Sequence, residues 1–183
     1  VEIIDLFIER YWQLLKDGGK LAVVVPDGFL FSRDHKLGRK YLFKHFQIEA
    51  IVSLPKHTFV PYGAGVKTSI IFATALGENK TPDRSKKIFI ASPEHIGYDS
   101  KGNKDINDLP VVLENYKNNK ISDNEKLGKL ISYDEINEND MNIVKLFNEE
   151  IEENINVEEV MKNIEKTQNE LNDLLKEIKN FGV

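Results

Sequence analysis

Hydrophobic positions at the start of the chain follow the spacing of an amphipathic helix. The positions that keep this spacing are Ile3, Ile4, Phe7, Ile8, Tyr11, Leu14 and Leu15. Gly18 and Gly19 end the pattern, where a left-handed helix cap is favoured. An uninterrupted apolar run follows at 21–25 and closes at Pro26. Because continuous apolarity is typical of a strand buried on both faces, this run predicts a central strand flanked by helices.

A second helix and two more strands are predicted downstream. Ser32 is placed to cap a helix over about 33–46. The side chains that we expect this helix to turn toward the core are Leu37, Tyr41, Leu42 and Phe46. Apolar segments at 48–54 and 67–75 predict strands. This alternation of helices and strands predicts an α/β fold with a mostly parallel sheet.

The segment between the last two predicted strands, residues 55–66, decides their relative direction. Parallel neighbours need a crossover of about a dozen residues or more that includes a helix, and this segment has no room for one. We therefore predict that strands 48–54 and 67–75 are antiparallel and lie at the end of the sheet. The strand at 21–25 is expected to leave an open edge, which favours self-association of the isolated chain.

The rest of the chain divides into shorter predicted elements. We expect a strand at 87–92, a turn at 99–102 and a helix at 109–116. From Val157 to Ile178, apolar residues alternate four and three apart, with Gln168 at one core position. That heptad pattern predicts a helix that packs on its own domain or docks on a partner helix. The predicted domains are 1–116, a linker at 117–130 and a helical tail at 131–183.

Composition and charge narrow the class of protein. The 183 residues include no cysteine, which excludes disulfides and thiolate metal sites. No run reaches the ~18 apolar residues of a membrane span, so we expect a cytoplasmic protein. Residues 1–75 carry ten Lys/Arg against seven Asp/Glu, whereas residues 76–183 carry fifteen against twenty-three. A nucleic-acid-binding surface is therefore expected in the first part.

Three ordered motifs resemble the modification subunits of type I restriction-modification systems. The first covers residues 7–10 (FIER) and 14–31 (LLKDGGKLAVVVPDGFLF). The second joins residues 51–55 (IVSLP), Phe59 and residues 65–72 (GVKTSIIF). The third is IGYD at 96–99. The resemblance implies a Rossmann-like sheet ending in an antiparallel strand pair, of which residues 1–116 form the C-terminal half.

The resemblance also implies a reaction and partners. Enzymes of this family transfer a methyl group from S-adenosylmethionine to N6 of an adenine flipped out of DNA. The implied partners are DNA, a DNA-specificity subunit, on which the helical tail would dock, and a restriction subunit. The family's Asn-Pro-Pro-Phe/Tyr segment and glycine-rich cofactor turn are absent from this sequence. The chain also begins inside a helix, at Val1 rather than Met. We therefore expect a fragment that holds no catalytic residue and is inactive alone.

Three side chains are candidates for contact with the flipped base. The resemblance places an aromatic residue that stacks on adenine at Phe59, and Tyr62 lies in the same segment. Phe59 has the alternative role of anchoring its loop on the sheet, and Tyr62 that of an ordinary exposed tyrosine. Asp27 follows the first strand at the edge where α/β sheets bind ligands, and capping a turn is its alternative role.

A group of basic residues forms the candidate contact with DNA phosphates. Its members are Arg33, Lys36, Arg39, Lys40 and Lys67. Such contacts would make binding sensitive to salt, and a solvated helix face is the alternative. The four histidines show no metal-ligand spacing, so no metal site is predicted. A non-catalytic module that binds DNA or protein is the alternative function for the whole chain.

Overall fold

A computed structural model describes residues 2–147 together with Thr167 and Gln168. Contacts divide the chain after Phe147 into two units, and the first unit contains all of the described strands. Its helices are α1 (Ile3–Leu14), α2 (Gly28–Phe31), α3 (Lys36–His45) and α4 (Leu109–Asn118). Its strands are β1 (Lys20–Pro26), β2 (Phe46–Ser53), β3 (Thr68–Ala75), β4 (Ile88–Ala91), β5 (Ile96–Tyr98), β6 (Lys104–Asn107) and β7 (Lys129–Ile131).

Five of the strands form one sheet in the order β1-β3-β2-β4-β7. The predicted antiparallel pair is confirmed, because β2 and β3 align Ser53 with Ser69 in opposite directions. However, β3 also pairs antiparallel with β1, and it therefore lies between β1 and β2. Only β2 and β4 pair in parallel, so the prediction of a mostly parallel sheet with this pair at its end is wrong for the described strands. The reason is that residues 54–67 return the chain so that β3 lies on one side of β2, while β4 extends the sheet on the other side of β2.

Helices cover the two faces of the sheet unequally. A large core lies under α1, α2 and α3 and includes Ile8, Phe29 and Leu42. A smaller core on the other face packs α4, through Val112, against β2 and β4. At β1 only one face is buried, and Val24 on the other is 49% exposed. The expected burial of both faces of 21–25 is therefore wrong within the described residues, whereas the expected sheet edge is present.

The α/β class is confirmed, but the domain boundaries differ from the predicted ones. Residues 129–131, at the predicted junction of linker and tail, form β7 and extend the sheet. Tyr133 and Met141 are then buried in the large core. At the register shift in β2, the main-chain N–H of Ile48 donates a 2.8 Å hydrogen bond to the Tyr133 hydroxyl. Residues 131–147 are thus part of the α/β unit, while the heptad prediction falls outside the described residues except at Thr167 and Gln168.

Helix α3 also differs from its sequence pattern. It begins at Lys36, after a 3₁₀ turn at Arg33–His35, and Leu37 is 64% exposed rather than in the core. Gly38 faces α1 instead, so close to it that an added Cβ would lie 2.4 Å from the Asp5 carboxylate. The two helices approach at this glycine because it has no side chain, and this rotates Leu37 toward solvent.

Candidate functional site

The segment between β2 and β3, residues 54–67, lies at the edge of the sheet where two strands end together. Both β1 and β2 run opposite to β3, so β1 and β2 point the same way. Their carboxyl ends therefore meet at one edge, which is where open α/β sheets place ligands. We call residues 54–67 the connector. It contains one 3₁₀ turn, Val60–Tyr62, closed by Gly63 with a φ of 87°.

Asp27 ties the end of β1 to the start of β3. Its carboxylate accepts a 2.7 Å hydrogen bond from the Ser69 hydroxyl and lies 3.2 Å from the Lys67 ammonium. Its main-chain N–H donates to the Lys67 carbonyl at 3.0 Å. A DNA phosphate bound to Lys67, as predicted, would therefore share the Lys67 ammonium with the Asp27 carboxylate. The contact of Asp27 with substrate remains a prediction beside these structural bonds.

The two aromatic candidates of the connector differ in exposure. Phe59 is half-buried and packs against the smaller core, as its alternative anchoring role requires. Its carbonyl accepts hydrogen bonds from the N–H groups of Tyr62 and Ala64, both at 3.0 Å. Tyr62 is 77% exposed, and its ring centroid lies 6.5 Å from that of Tyr98 at an interplanar angle of 89°. Stacking on a base remains a prediction for both residues.

Buried polar atoms without a partner mark the same edge. In the described part of the chain, four buried side-chain atoms make no hydrogen bond: Ser53 Oγ, His57 Nε2 and Thr68 Oγ1 at this edge, and Asp5 Oδ2 in α1. Buried polar groups are rarely left unpaired, and those that are occur often at functional sites. The sequence analysis missed the three at this edge, because a serine or threonine at a strand end has no signal that distinguishes it from an ordinary turn residue.

A separate hairpin supports the connector from one side. Strands β5 and β6 pair only with each other among the described strands. The Tyr98 hydroxyl donates a 2.8 Å hydrogen bond to the carbonyl of Thr58. At the hairpin turn, Gly102 lies against Pro61, at a distance where an added Cβ would be 3.6 Å from the proline ring. The hairpin thus contacts the connector on both sides of Phe59.

Comparisons with known proteins agree with this architecture. Residues 5–165 match the family described as N-6 DNA Methylase. The chain belongs to the N-6 DNA methylase family. A curated relative, the methylase subunit of the type I restriction enzyme EcoEI from Escherichia coli, is 42% identical over 74 residues. That match covers 40% of this chain and 15% of the relative, so the chain spans a small part of the relative's length.

Solved structures share the fold. A structure described as showing assembly and conformational transition of a type I restriction-modification system has a TM-score of 0.55 at 22% identity, and the match covers 94% of this chain and 39% of that one. A type I methyltransferase subunit from Streptococcus thermophilus has a TM-score of 0.53 at 23% identity, covering 78% of this chain and 28% of that one. At these identities the likeness supports the fold alone.

One of the predicted phosphate contacts is wrong. Arg39 is 1% exposed, and its guanidinium donates four hydrogen bonds to main-chain carbonyls. The acceptors are Phe29 (2.7 Å), Ser32 (2.8 Å), Glu138 (2.8 Å) and Asn139 (3.2 Å). Burial lowers the pKa of Arg39, and the carboxylates of Asp140 and Asp5 oppose that shift. Arg39 therefore joins α2 and α3 to the segment after β7 and is not available to DNA.

The other basic candidates remain open to solvent. Arg33, Lys36 and Lys40 are exposed. Helix α3 starts near the carboxyl edge, after β1, and returns to the opposite edge where β2 begins. Arg33 and Lys36 therefore lie nearer to the connector edge than Lys40 does. Their contact with phosphate remains a prediction.

The resemblance places the methionine end of S-adenosylmethionine at a glycine-rich turn from a strand into a helix, and the described exits of β1 and β2 have another form. The chain leaves β1 through Pro26, Asp27 and a single glycine, and it leaves β2 into the connector rather than a helix. At the first of these exits the Asp27 carboxylate is already bonded to Ser69 and Lys67.

Two cavities have linings that do not include the connector aromatics. An apolar cavity of about 170 Å³ between α4 and the sheet is lined by residues that include Phe72, Phe89 and Val112. A polar one of about 370 Å³ at the opposite edge includes Glu49, Lys87 and Lys117. Neither has Phe59 or Tyr62 in its lining.

At that opposite edge, Glu49 is held by three side chains. Burial would raise its pKa, but hydrogen bonds from Lys20, Thr74 and Tyr116 outweigh this and lower the pKa.

Among residues 2–147, 167 and 168 no group of three or more His, Asp or Glu side chains is arranged to hold a metal ion. None of the described helices is long and apolar enough to cross a membrane.

Proposed function

We propose that this chain supplies the base-holding edge of a DNA methyltransferase. In the proposed reaction, a methyl group passes from S-adenosylmethionine to N6 of an adenine flipped out of the duplex. The observation that carries the proposal is the aromatic connector at the edge where β1 and β2 end together, in a member of the N-6 DNA methylase family. The proposed setting is a cytoplasmic type I system with a DNA-specificity subunit, on which residues 157–178 would dock, and a restriction subunit.

The connector holds the base by stacking. A flipped base loses its neighbours in the duplex, and a face-on aromatic ring restores about 1–3 kcal/mol of that stacking. Phe59 has one side in the smaller core, which fixes its ring, and is still partly exposed. Tyr62 is more exposed and supplies a second contact to the same nucleotide or its neighbour.

Phosphate contacts orient the duplex around this edge. Arg33 and Lys36 provide exposed positive charge where α3 begins, and the half-buried Lys67 provides a further positive charge at the end of the connector. Each contact releases a counterion, so DNA affinity should fall as salt rises. The Asp27 carboxylate partly neutralises the charge of Lys67 and holds the Lys67 side chain at the edge of the sheet.

The test separates stacking by Phe59 from anchoring by Phe59. Phe59→Leu keeps an apolar side chain for the smaller core and removes the aromatic face. In the full-length protein that contains this chain, we expect methyl transfer to fall by about fivefold to a hundredfold, the equivalent of 1–3 kcal/mol. Phe59→Tyr should restore most of the rate. Radioactive methyl transfer to DNA under single-turnover conditions measures both.

Thermal unfolding of the same variants shows whether a loss of methyl transfer comes from lost stacking or from lost stability. If Phe59 only anchors the connector, Phe59→Leu lowers the melting temperature and leaves the transfer rate of the folded enzyme unchanged, which would contradict the stacking role. Absence of methyl transfer by the wild-type full-length protein would overturn the proposed function itself. The 183-residue chain alone should show no turnover, since it lacks the Asn-Pro-Pro-aromatic segment.

A further inference from the structure

We infer that the β5–β6 hairpin positions the connector, with Tyr98 as the positioning residue. The inference rests on the proposed function, because what it positions is the aromatic side chain that would hold the base. The motif IGYD at 96–99 has no role in the base-stacking or phosphate contacts proposed above. In the structure it forms β5 and the start of the hairpin turn.

The hydrogen bond from Tyr98 reaches the connector one residue before Phe59. Its hydroxyl donates to the carbonyl of Thr58 at 2.8 Å, and Thr58 is 6% exposed. Between 55 and 66, the described main-chain hydrogen bonds otherwise join connector residues to each other, as from Thr58 N–H to the Pro55 carbonyl at 3.1 Å. These local bonds shape the turn, and hydrogen bonds from the Leu54 N–H to the Thr68 carbonyl and from the Asp27 N–H to the Lys67 carbonyl hold its two ends. Tyr98 adds a hydrogen bond from outside near the middle of the connector.

Side-chain hydrogen bonds close the turn of the hairpin. The Asp99 carboxylate accepts hydrogen bonds from the N–H groups of Lys101 (2.8 Å) and Asn103 (2.9 Å) and from the Asn103 amide (3.0 Å). Hydrogen bonds from Asn103, Lys101 and Gly102 lower the pKa of Asp99. At the open end, the Asp108 carboxylate accepts from the N–H of His95 at 2.9 Å. Both ends of the ribbon are therefore closed.

Hairpin and connector support each other at three points. Besides the bond to Thr58, the Tyr98 ring meets Tyr62 edge to face, and Gly102 meets Pro61. A two-stranded ribbon is only marginally stable alone, so it needs such packing. The contacts lie on both sides of Phe59. A small displacement of a side chain that holds a reacting group is enough to slow a reaction strongly.

A matched pair of tyrosine variants tests the role. Tyr98→Phe removes the hydroxyl and keeps the ring against Tyr62. Tyr116→Phe is the control, since that half-buried tyrosine donates its hydroxyl to Glu49 (3.4 Å) at the opposite edge of the sheet. Both variants are made in the full-length protein. Base flipping is followed on DNA carrying 2-aminopurine at the target position, and methylation on the same DNA with adenine there, because 2-aminopurine has no 6-amino group to accept the methyl.

The expected result separates base positioning from DNA binding. Tyr98→Phe should lower the 2-aminopurine signal at saturating DNA, and the single-turnover methylation rate, by about threefold to tenfold. The Kd for DNA should remain within about twofold, and Tyr116→Phe should leave both readouts unchanged. In a Phe59→Leu background, Tyr98→Phe should have little further effect, because both changes act on one side chain.

Three outcomes would overturn the inference. In the first, Tyr98→Phe has the same base flipping and methylation rate as Tyr116→Phe. In the second, Tyr98→Phe lowers only the melting temperature. In the third, the effect of Tyr98→Phe on the rate adds fully to that of Phe59→Leu. Hydrogen exchange on the same full-length variants gives an activity-independent readout, where Tyr98→Phe, unlike Tyr116→Phe, should speed exchange at residues 58–64. Unchanged exchange at residues 58–64 refutes the support of the connector by the hairpin and leaves the proposed function untouched. A wild-type protein without any transfer or flipping refutes the proposed function and the base-positioning role together.

Discussion

Replacement of Arg39 by lysine tests whether this side chain stabilises the fold or binds DNA. Its guanidinium bonds two carbonyls near α2 and α3, those of Phe29 and Ser32, and two in the segment after β7, those of Glu138 and Asn139. A lysine ammonium carries the same charge at a single point, so it cannot reach both segments. At least two carbonyls should therefore lose their partner.

The expected loss of stability follows from these bonds. A hydrogen bond to a charged group contributes about 1.5–3 kcal/mol, so losing two lowers the free energy of unfolding by about 3 kcal/mol or more. For a protein of this size that is a fall in Tm of about 6–12 °C. It is a large part of the roughly 5–15 kcal/mol that holds a domain folded.

Urea unfolding followed by the fluorescence of Trp12, the single tryptophan, measures the change. Trp12 is a suitable probe because it packs beside α3, with its ring centroid 4.5 Å from that of His45. Lys40→Gln, at an exposed neighbouring position, is the control and should change stability by less than about 0.5 kcal/mol. If Arg39→Lys unfolds at the same urea concentration as the wild type, the structural role assigned to Arg39 is refuted.

Two further predictions concern pH and helix packing. Burial, followed by the charge of Lys44, lowers the pKa of His45 below its usual 6.5, against the opposing effect of Glu9. The folded state then binds fewer protons than the unfolded state, so stability is full above about pH 6.5 and declines as the pH falls below it. His45→Gln should flatten the slope of unfolding free energy between pH 7.5 and 5.5, and an unaltered slope would contradict this. Gly38→Ala should destabilise by more than about 1 kcal/mol in urea despite the better helix propensity of alanine, because its Cβ would collide with Asp5. Gly28→Ala, with no atom within 4 Å of the added Cβ, is its control, and equal stability of the two variants would show that the helices can separate.

Local patterns predicted helices α1, α3 and α4, strands β1 to β4 and one pairing direction, but not helix α2 or strands β5 to β7. The length of the segment after β2 excluded a crossover helix, and that alone gave the antiparallel direction of β2 and β3. It did not give the place of β3 between β1 and β2, because strand order depends on contacts that no local pattern contains. The same holds for residues 131–147, whose buried side chains are too irregularly spaced to indicate a helix or a strand.

The candidate site was predictable only in part. Phe59 was found through the resemblance, not through periodicity, since one aromatic residue in a loop has no pattern of its own. Arg39 was misassigned because a basic residue on a charged helix indicates a solvated face, whereas its partners Glu138 and Asn139 lie 99 and 100 residues further along. The unpaired hydroxyls of Ser53 and Thr68 become visible only when the fold shows that they are buried.

The position of β3 has a consequence for synthesis of the protein. Strands β1 and β2 do not pair with each other, and β3 joins them by pairing with both. A nascent chain that has reached residue 67 therefore carries two apolar strands and lacks the strand that connects them. Their backbone groups stay available to other chains until translation passes Ala75, and slow formation of such long-range pairs favours aggregation. Codon pauses or truncations between residues 54 and 75 should therefore be more harmful to solubility than those that fall after β3 is complete.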